Sequence, residues 1–253
     1  MVILCIASQA VSVYGLPTSE NGEYDVRAII DSSYNKAYIQ MEFLVNGTEN
    51  PDLYNTVFVL SSVQTDATAR QNVHEGLQKA LEAYYSKINE RLSVHNTTIE
   101  ISPATRFSKF GENLAKVSIA YVLNFPKEGY STNLPKAYFT PSVEGEIKIS
   151  GQSFRAEDLI LDLSSMEQTD FSQQTYERRT LYYAEKEYTS GKDAWTIAVS
   201  VFMPPDAMMV SSDGSGFTYV TYGDLSYLAV IPLSVSLIIL SVCMHVLRSR
   251  KHA

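Results

Sequence analysis

The chain has 253 residues, of which 45% are hydrophobic, and its formal net charge is −8 at pH 7. That length suffices for one large domain or two small ones, each with a hydrophobic core. The excess of acidic residues argues against a nucleic-acid-binding protein, because nucleic-acid phosphates would repel it.

The first 15 residues are largely apolar and carry no charge. The run is short for a membrane span but has the length of a signal-peptide core, and Val13 and Gly15 are small enough for a cleavage site. We expect 1–15 to be a signal peptide, with a buried first strand as the alternative.

Residues 16–126 are expected to form the first half, of α+β type, of a folded domain that extends to about residue 222. One segment carries apolar residues at helical spacing and predicts an amphipathic helix over about 66–93. The stretches "YDVRAIID", "NKAYIQMEFLV", "TVFVLSSV" and "AKVSIAYVLNF" predict strands, most of them by alternating apolar and polar residues. A helix lying across an antiparallel sheet would bury both apolar surfaces.

A stretch with three prolines, "NFPKEGYSTNLPKAYFTPS", then interrupts the pattern and marks a boundary or long connection. Residues 136–222 are expected to form a second, antiparallel β half, with "TSGKD" as a hairpin turn. The predicted fold class is α+β and β-rich: antiparallel sheets with one long amphipathic helix, plus a single C-terminal transmembrane helix.

The transmembrane prediction rests on 225–247, which begins at Leu225, ends at Leu247 and contains no Asp, Glu, Lys or Arg. At about 1.5 Å per residue this segment spans roughly 34 Å as a helix, enough for a bilayer core. Pro232 lies inside it and is expected to bend the helix, because proline removes a backbone donor.

The tail 248–253 contains Arg248, Arg250 and Lys251. Positive charge directly after a span is typical of the cytoplasmic side, so the preceding residues are expected outside the cell or in a lumen. At the other boundary, Tyr219, Tyr222 and Tyr227 are expected to form an interfacial aromatic belt.

The exterior segment 16–224 holds all 28 acidic residues but 17 of the 20 basic ones, a net charge of −11. Its cohesion must come from a hydrophobic core, since both cysteines of the chain, Cys5 and Cys243, lie outside it. Two sequons, "NGT" at Asn46 and "NTT" at Asn96, are candidate N-glycosylation sites.

The sequence carries no pattern typical of a catalytic, cofactor or metal site. His74, expected on the solvent side of the helix, and His95 just after the helix lack partners at metal-ligand spacing. Asp158 and Asp162 share a face of a predicted strand, where paired carboxylates bind Ca²⁺, serve glycoside hydrolysis or simply face solvent. We therefore expect no catalytic residues, no cofactor and no enzymatic activity.

These features predict a single-pass type I membrane glycoprotein, located in the cell membrane or an endomembrane with its N-terminus outside or luminal. Its exterior domain would serve recognition, adhesion or the assembly of a membrane complex, with the lipid bilayer and protein partners or glycans as its contacts. Two alternatives remain open: a membrane-anchored hydrolase that uses carboxylates such as Asp158 and Asp162, and a cell-coat or viral surface protein.

Overall fold

The computed structural model describes residues 22–46, 66–103, 114–127, 129–143, 146–149, 152–155, 171–190 and 193–250. The predicted signal peptide, the predicted strand "TVFVLSSV" and the pair Asp158 and Asp162 lie outside these residues. The described strands and helices are, in chain order, β1 Gly22–Asp31, β2 Lys36–Asn46, α1 Ala67–Ile88, β3 Ser93–Pro103, β4 Leu114–Asn124, β5 Thr132–Pro135, a 3-10 turn Lys136–Tyr138, β6 Glu146–Ile149, β7 Gln152–Arg155, β8 Ser172–Tyr176, β9 Arg179–Ser190, β10 Asp193–Phe202, β11 Ala207–Ser212, β12 Gly216–Thr221 and α2 Tyr222–Arg250.

Seven of these strands form one sheet in the order β3-β4-β2-β1-β10-β9-β8. Neighbouring strands are antiparallel except for the central pair, in which β1 runs parallel to β10. The two segments predicted as separate halves therefore both contribute strands to this sheet. A three-stranded sheet, β11-β12-β5, and a β6-β7 hairpin complete the described strands.

The fold class is α+β with mostly antiparallel strands, as the sequence predicts in its coarse form. One face of the large sheet, the inner face, packs with α1 and the small sheet into one core. Its alternating residues are almost fully buried, as period-two strands with one covered face require. The core includes Ala28, Met41, Leu77, Tyr85, Ile119, Val199, Phe217 and Tyr219.

The amphipathic helix is confirmed but is shorter than the predicted 66–93. Asp66 caps its start, where one carboxylate oxygen accepts hydrogen bonds from the backbone amides of Thr68 and Ala69. It ends at Ile88, because Asn89 adopts an extended backbone. Ser93, which we assigned to the last turn of the helix, instead pairs with Asn124 at the start of β3.

The segment "TYERRTLYYAEKEY", in the predicted antiparallel β half, forms a hairpin. Tyr176 of β8 pairs with Arg179 of β9 across a two-residue loop. Glu177 and Arg178 in this loop have φ angles of 44° and 68°. Left-handed backbone at both loop positions normally selects Asn and Gly, so these charged residues gave no turn signal in the sequence.

The second helix, α2, contains the segment predicted to cross a membrane. Its side chains are described for 222–226 and 232–244. Over the side chains that the structure describes, no helix is both long enough and apolar enough to cross a membrane.

Candidate functional site

The site of most interest is the junction between α2 and the sheets. β12 leads without a linker into α2, and Thr221 and Asp224 form a reciprocal cap at the start of the helix. The backbone amide of Thr221 donates to Asp224 Oδ2 at 3.3 Å, and the backbone amide of Asp224 donates to the Thr221 hydroxyl at 3.3 Å. The Thr221 hydroxyl in turn donates to Asp224 Oδ2 at 2.6 Å. This arrangement is a capping box, which satisfies amide hydrogens that a helix start otherwise leaves unpaired.

An ion pair connects this cap to a distant part of the chain. Lys127, which follows β4, places its Nζ 2.6 Å from Asp224 Oδ1. Burial by itself would raise the pKa of Asp224, but hydrogen bonds from Lys127 and Thr221 outweigh it and hold that pKa below its usual value. Asp224 is thus a carboxylate that joins the helix start to the β4–β5 connection.

Further hydrogen bonds hold the β1–β2 turn, the residues after β4 and the β10–β11 connection close to the start of α2. The Ser32 hydroxyl, in the β1–β2 turn, donates to Asp206 Oδ1 at 2.8 Å. The carbonyl oxygen of Asp206 accepts from the amide of Tyr222 at 3.3 Å, and the amide of Phe125 donates to the carbonyl of Asn35 at 3.0 Å. We call this region, formed by 32–35, 125–127, 129–131, 203–206 and 221–224, the helix-proximal end.

Beyond the junction, α2 exposes apolar side chains on every side. Leu237, Ile238, Ile239 and Leu240 make one full helical turn, and each is between 58% and 63% exposed. Leu233, Val235, Val242 and Met244 extend the same exposure in both directions. Ser236 donates its hydroxyl to the carbonyl of Pro232 at 2.7 Å, so this polar group is satisfied within the helix.

The anchor residues predicted from sequence fall along this helix. Leu225 is half-buried and Pro232 is exposed inside the helix. The backbone of α2 includes Leu247, Arg248 and Arg250, whose side chains are not described, whereas Lys251 lies outside the described residues.

The expected tyrosine belt is partly wrong. Tyr222 is 66% exposed, but Tyr219 is 1% exposed and belongs to the core, where burial raises its pKa to about 12. Alternation along β12 explains the difference, since residues two apart on a strand share a face and Tyr219 lies with Phe217 on the buried one. The side chain of Tyr227 is outside the described set.

The two sequons differ in what the structure describes. Asn96 is exposed at a bulge in β3, with a φ of 54°. The backbone of Asn46 ends β2, and the residues after it lie outside the described ranges. Both remain predicted glycosylation sites.

The two histidines singled out in the sequence, His74 and His95, lie on α1 and on β3. His74 is half-buried rather than solvent-facing, and this burial lowers its pKa. His95 lies in β3, where its Nε2 is 3.1 Å from the Ser93 hydroxyl. Among the described residues, no group of three His, Cys, Asp or Glu side chains is placed to hold a metal ion.

No protein-family model, curated protein or solved structure matches this chain.

The second notable surface is the outer face of the large sheet, which points away from α1. It is polar and aromatic: Tyr38 is 46% exposed, Arg27 and Asp25 are paired at 3.0 Å, and Lys116 and Glu42 at 2.9 Å. Its depression has a volume of about 210 Å³, below the roughly 300–1,000 Å³ of typical small-molecule pockets. This depression is therefore smaller than the pockets that typically enclose a small ligand.

Proposed function

We propose that the protein is a single-pass membrane protein whose β-rich domain lies on the extracytoplasmic side and binds other proteins there. The observation that carries the proposal is the all-round apolar exposure of α2. A helix that is apolar on every side needs an apolar environment, either a protein core or lipid. The described part of the domain contacts α2 only at its first turns, which favours lipid.

The proposed span is 225–247, whose 23 residues include no Asp, Glu, Lys or Arg. The start of α2 is capped by Thr221 and Asp224, so the charged carboxylate lies just before the span and is paired with Lys127. Arg248, Arg250 and Lys251 follow it and support a cytoplasmic C-terminus. The residues before the span, with N-glycans at Asn46 and Asn96, then lie outside or in a lumen, and 1–15 serves as the signal peptide.

Retention in membranes tests the anchor. The full chain should remain in the membrane fraction after washing at alkaline pH. Ile238→Arg combined with Leu240→Arg should release it, because each arginine near a helix centre costs about 2.5–3.5 kcal/mol on insertion. Tyr38→Arg on the outer face is the matched control and should stay membrane-bound. Release of the unmodified chain would overturn the anchor.

Glycosylation tests the orientation in a eukaryotic cell. Asn96→Gln and Asn46→Gln should each remove one glycan, seen as a loss of mass after gel electrophoresis. An epitope tag placed after Ala253 should be accessible to antibody only once the cells are permeabilised. A tag detected on intact cells would reverse the proposed orientation.

The binding role is supported by Tyr38 and Arg27 of the outer face, because tyrosine and arginine are enriched in protein–protein contacts. Membrane vesicles carrying the chain should bind a protein partner on a second membrane or beside it in the same one. Tyr38→Lys should weaken this binding several-fold, whereas Ser211→Lys on exposed β11 should not. Equal binding by both variants would show that the outer face is not the binding surface. Loss of binding after the second membrane is deglycosylated would show that the ligand is a glycan and not a protein.

A further inference from the structure

We propose that the helix-proximal end of the domain rests on the lipid headgroup layer, with Tyr34, Tyr130 and Tyr222 as its contacts. This inference depends on the proposed membrane span of α2. It goes further, because a single span leaves open whether the domain stands away from the bilayer or is seated on it.

Three separate connections each bring an exposed tyrosine to this end. Tyr34 is 67% exposed in the β1–β2 turn, Tyr130 is 47% exposed between β4 and β5, and Tyr222 is 66% exposed at the start of α2. Strand pairing places the last two close together, since Thr132 of β5 is opposite Tyr219 of β12. The residues preceding Thr132 therefore lie beside the end of β12, where α2 begins.

Tyr34 reaches the same end through the hydrogen bonds of the neighbouring turns. Asn35 accepts from Phe125, only two residues before Lys127, and Ser32 donates to Asp206, whose carbonyl holds the amide of Tyr222. The hydrogen bonds of the neighbouring turns thus hold Tyr34 near the first turn of α2, and the pairing of β5 with β12 places Tyr130 there.

Contacts at the junction also restrict how far the domain can tilt away from the helix. Lys127 and Asp224 pair across the junction at 2.6 Å, and Thr221 continues directly from β12 into the helix cap. No flexible linker separates strand from helix. A helix that enters the bilayer at Leu225 must therefore bring the helix-proximal end to the membrane surface.

The chemistry of this end suits an uncharged or zwitterionic headgroup layer. Tyrosine rings are favoured at this depth, because the ring packs among apolar groups while the hydroxyl stays hydrated. The ammonium of Lys36 lies 5.5 Å from the centre of the Tyr34 ring, where it can meet a lipid phosphate. Lys127 is neutralised by Asp224, and the exterior segment has a net charge of −11, so anionic lipid is not the expected partner.

Depth-dependent fluorescence quenching tests the seating in the full chain. Cys5→Ser and Cys243→Ser provide a background for single labels at Tyr34→Cys, Tyr130→Cys, Ile238→Cys and Gly214→Cys. Gly214 is the matched control, because it lies in the β11–β12 turn, before the strand that leads to α2, and a side chain there meets nothing within 4 Å. A label at Ser33→Cys, an exposed position in the β1–β2 turn, repeats the measurement beside Tyr34 while leaving that tyrosine in place.

The labelled proteins are reconstituted in phosphatidylcholine vesicles with lipids that carry a quencher near the headgroup. Labels at 33, 34 and 130 should be quenched several-fold more than the label at 214, and the label at 238 should be quenched by a lipid whose quencher lies deep in the acyl chains. If 33, 34 and 130 behave like 214 while 238 is quenched, the seating is wrong and the membrane span stands. If 238 is not quenched, the span and the seating both fail.

A second set of vesicles tests the lipid class. Replacing part of the phosphatidylcholine with phosphatidylserine should leave the quenching at 34 and 130 unchanged or lower it. Quenching that appears only with phosphatidylserine would overturn the assignment to a neutral headgroup layer.

Discussion

The Nζ atom of Lys127 lies 2.6 Å from Oδ1 of Asp224, and this pair joins the β4–β5 connection to the first turn of α2. The two residues are 97 positions apart in the chain. Both side chains are more than two-thirds covered, so solvent screens the pair less than it screens an exposed one. Asp224 also accepts from Thr221, so one carboxylate stabilises the helix cap and the docking of the connection.

Removing the charge of Asp224 should therefore destabilise the domain. Asp224→Asn leaves Lys127 partly covered without its carboxylate, and we expect a loss of about 1–3 kcal/mol in the free energy of unfolding. Glu42→Gln, which weakens the more exposed pair with Lys116, should cost less than about 1 kcal/mol. Urea unfolding of the detergent-solubilised chain, followed by circular dichroism, measures both, and equal losses would contradict the role of the junction.

The stabilising effect of the Asp224 carboxylate should also depend on pH. The folded-state pKa of Asp224 lies below its ordinary value of 3.8, since the hydrogen bonds from Lys127 and Thr221 outweigh the effect of burial. The carboxylate therefore contributes stability fully above pH 3.8, and this contribution is lost as the pH falls through the folded-state pKa. The stability difference between wild type and Asp224→Asn should shrink over that acidic range.

Ionisation of Asp25 should lower the stability of the fold, whereas ionisation of Asp224 raises it. Burial raises its pKa above 3.8, although Arg27 partly opposes the shift. Its folded form consequently favours the proton, and the group lowers stability as the pH rises from 3.8 through the raised pKa. Asp25→Asn should remove that decline, measured by thermal unfolding across the same pH range. A parallel acid response in the two variants would contradict the assigned pKa shifts.

Two buried tyrosines should respond differently to loss of the hydroxyl. The Tyr85 hydroxyl donates to the carbonyl of Tyr138 at 2.8 Å. Because its single proton is used there, it accepts from the Tyr121 hydroxyl at 2.7 Å. Tyr85→Phe should cost about 1–3 kcal/mol, because buried partners lose their hydrogen bonds. The hydroxyl of Tyr182 is buried without a hydrogen-bond partner among the described residues, so Tyr182→Phe should be neutral or stabilising. Comparable losses in urea unfolding would show that the hydroxyl of Tyr182 is paired.

Replacing the two residues of the β8–β9 turn by Asn and Gly, which this backbone normally selects, should stabilise the protein. Glu177 and Arg178 both have positive φ, which costs an ordinary side chain about 1 kcal/mol or more. Glu177→Asn with Arg178→Gly should raise the melting temperature. Arg179→Gly, one residue later in extended β9, should lower it, because glycine costs about 0.5–1 kcal/mol inside a strand. A lower melting temperature for the double variant would show that these side chains stabilise the turn.

The sequence by itself determined the elements whose burial pattern is local. Apolar residues at period two in β2 and β4, and at helical spacing in α1, identify the strands, the helix and their buried faces. The coarse α+β class follows, because each one-sided apolar surface needs a covering layer. The run 225–247, which contains no Asp, Glu, Lys or Arg, is equally local, and together with the basic residues after it and the apolar start of the chain it predicts a membrane protein.

Tertiary structure decided which strands are neighbours and which side chains meet. Periodicity indicates a strand's faces but not its partner, so the parallel pairing of β1 with β10 had no local signal. For the same reason the sequence placed Tyr219 in the interfacial belt, although it is buried, and gave no sign that Tyr34 and Tyr130 lie near the start of α2. Those two residues reach the start of α2 through the contacts of Ser32 and Lys127 with distant parts of the chain.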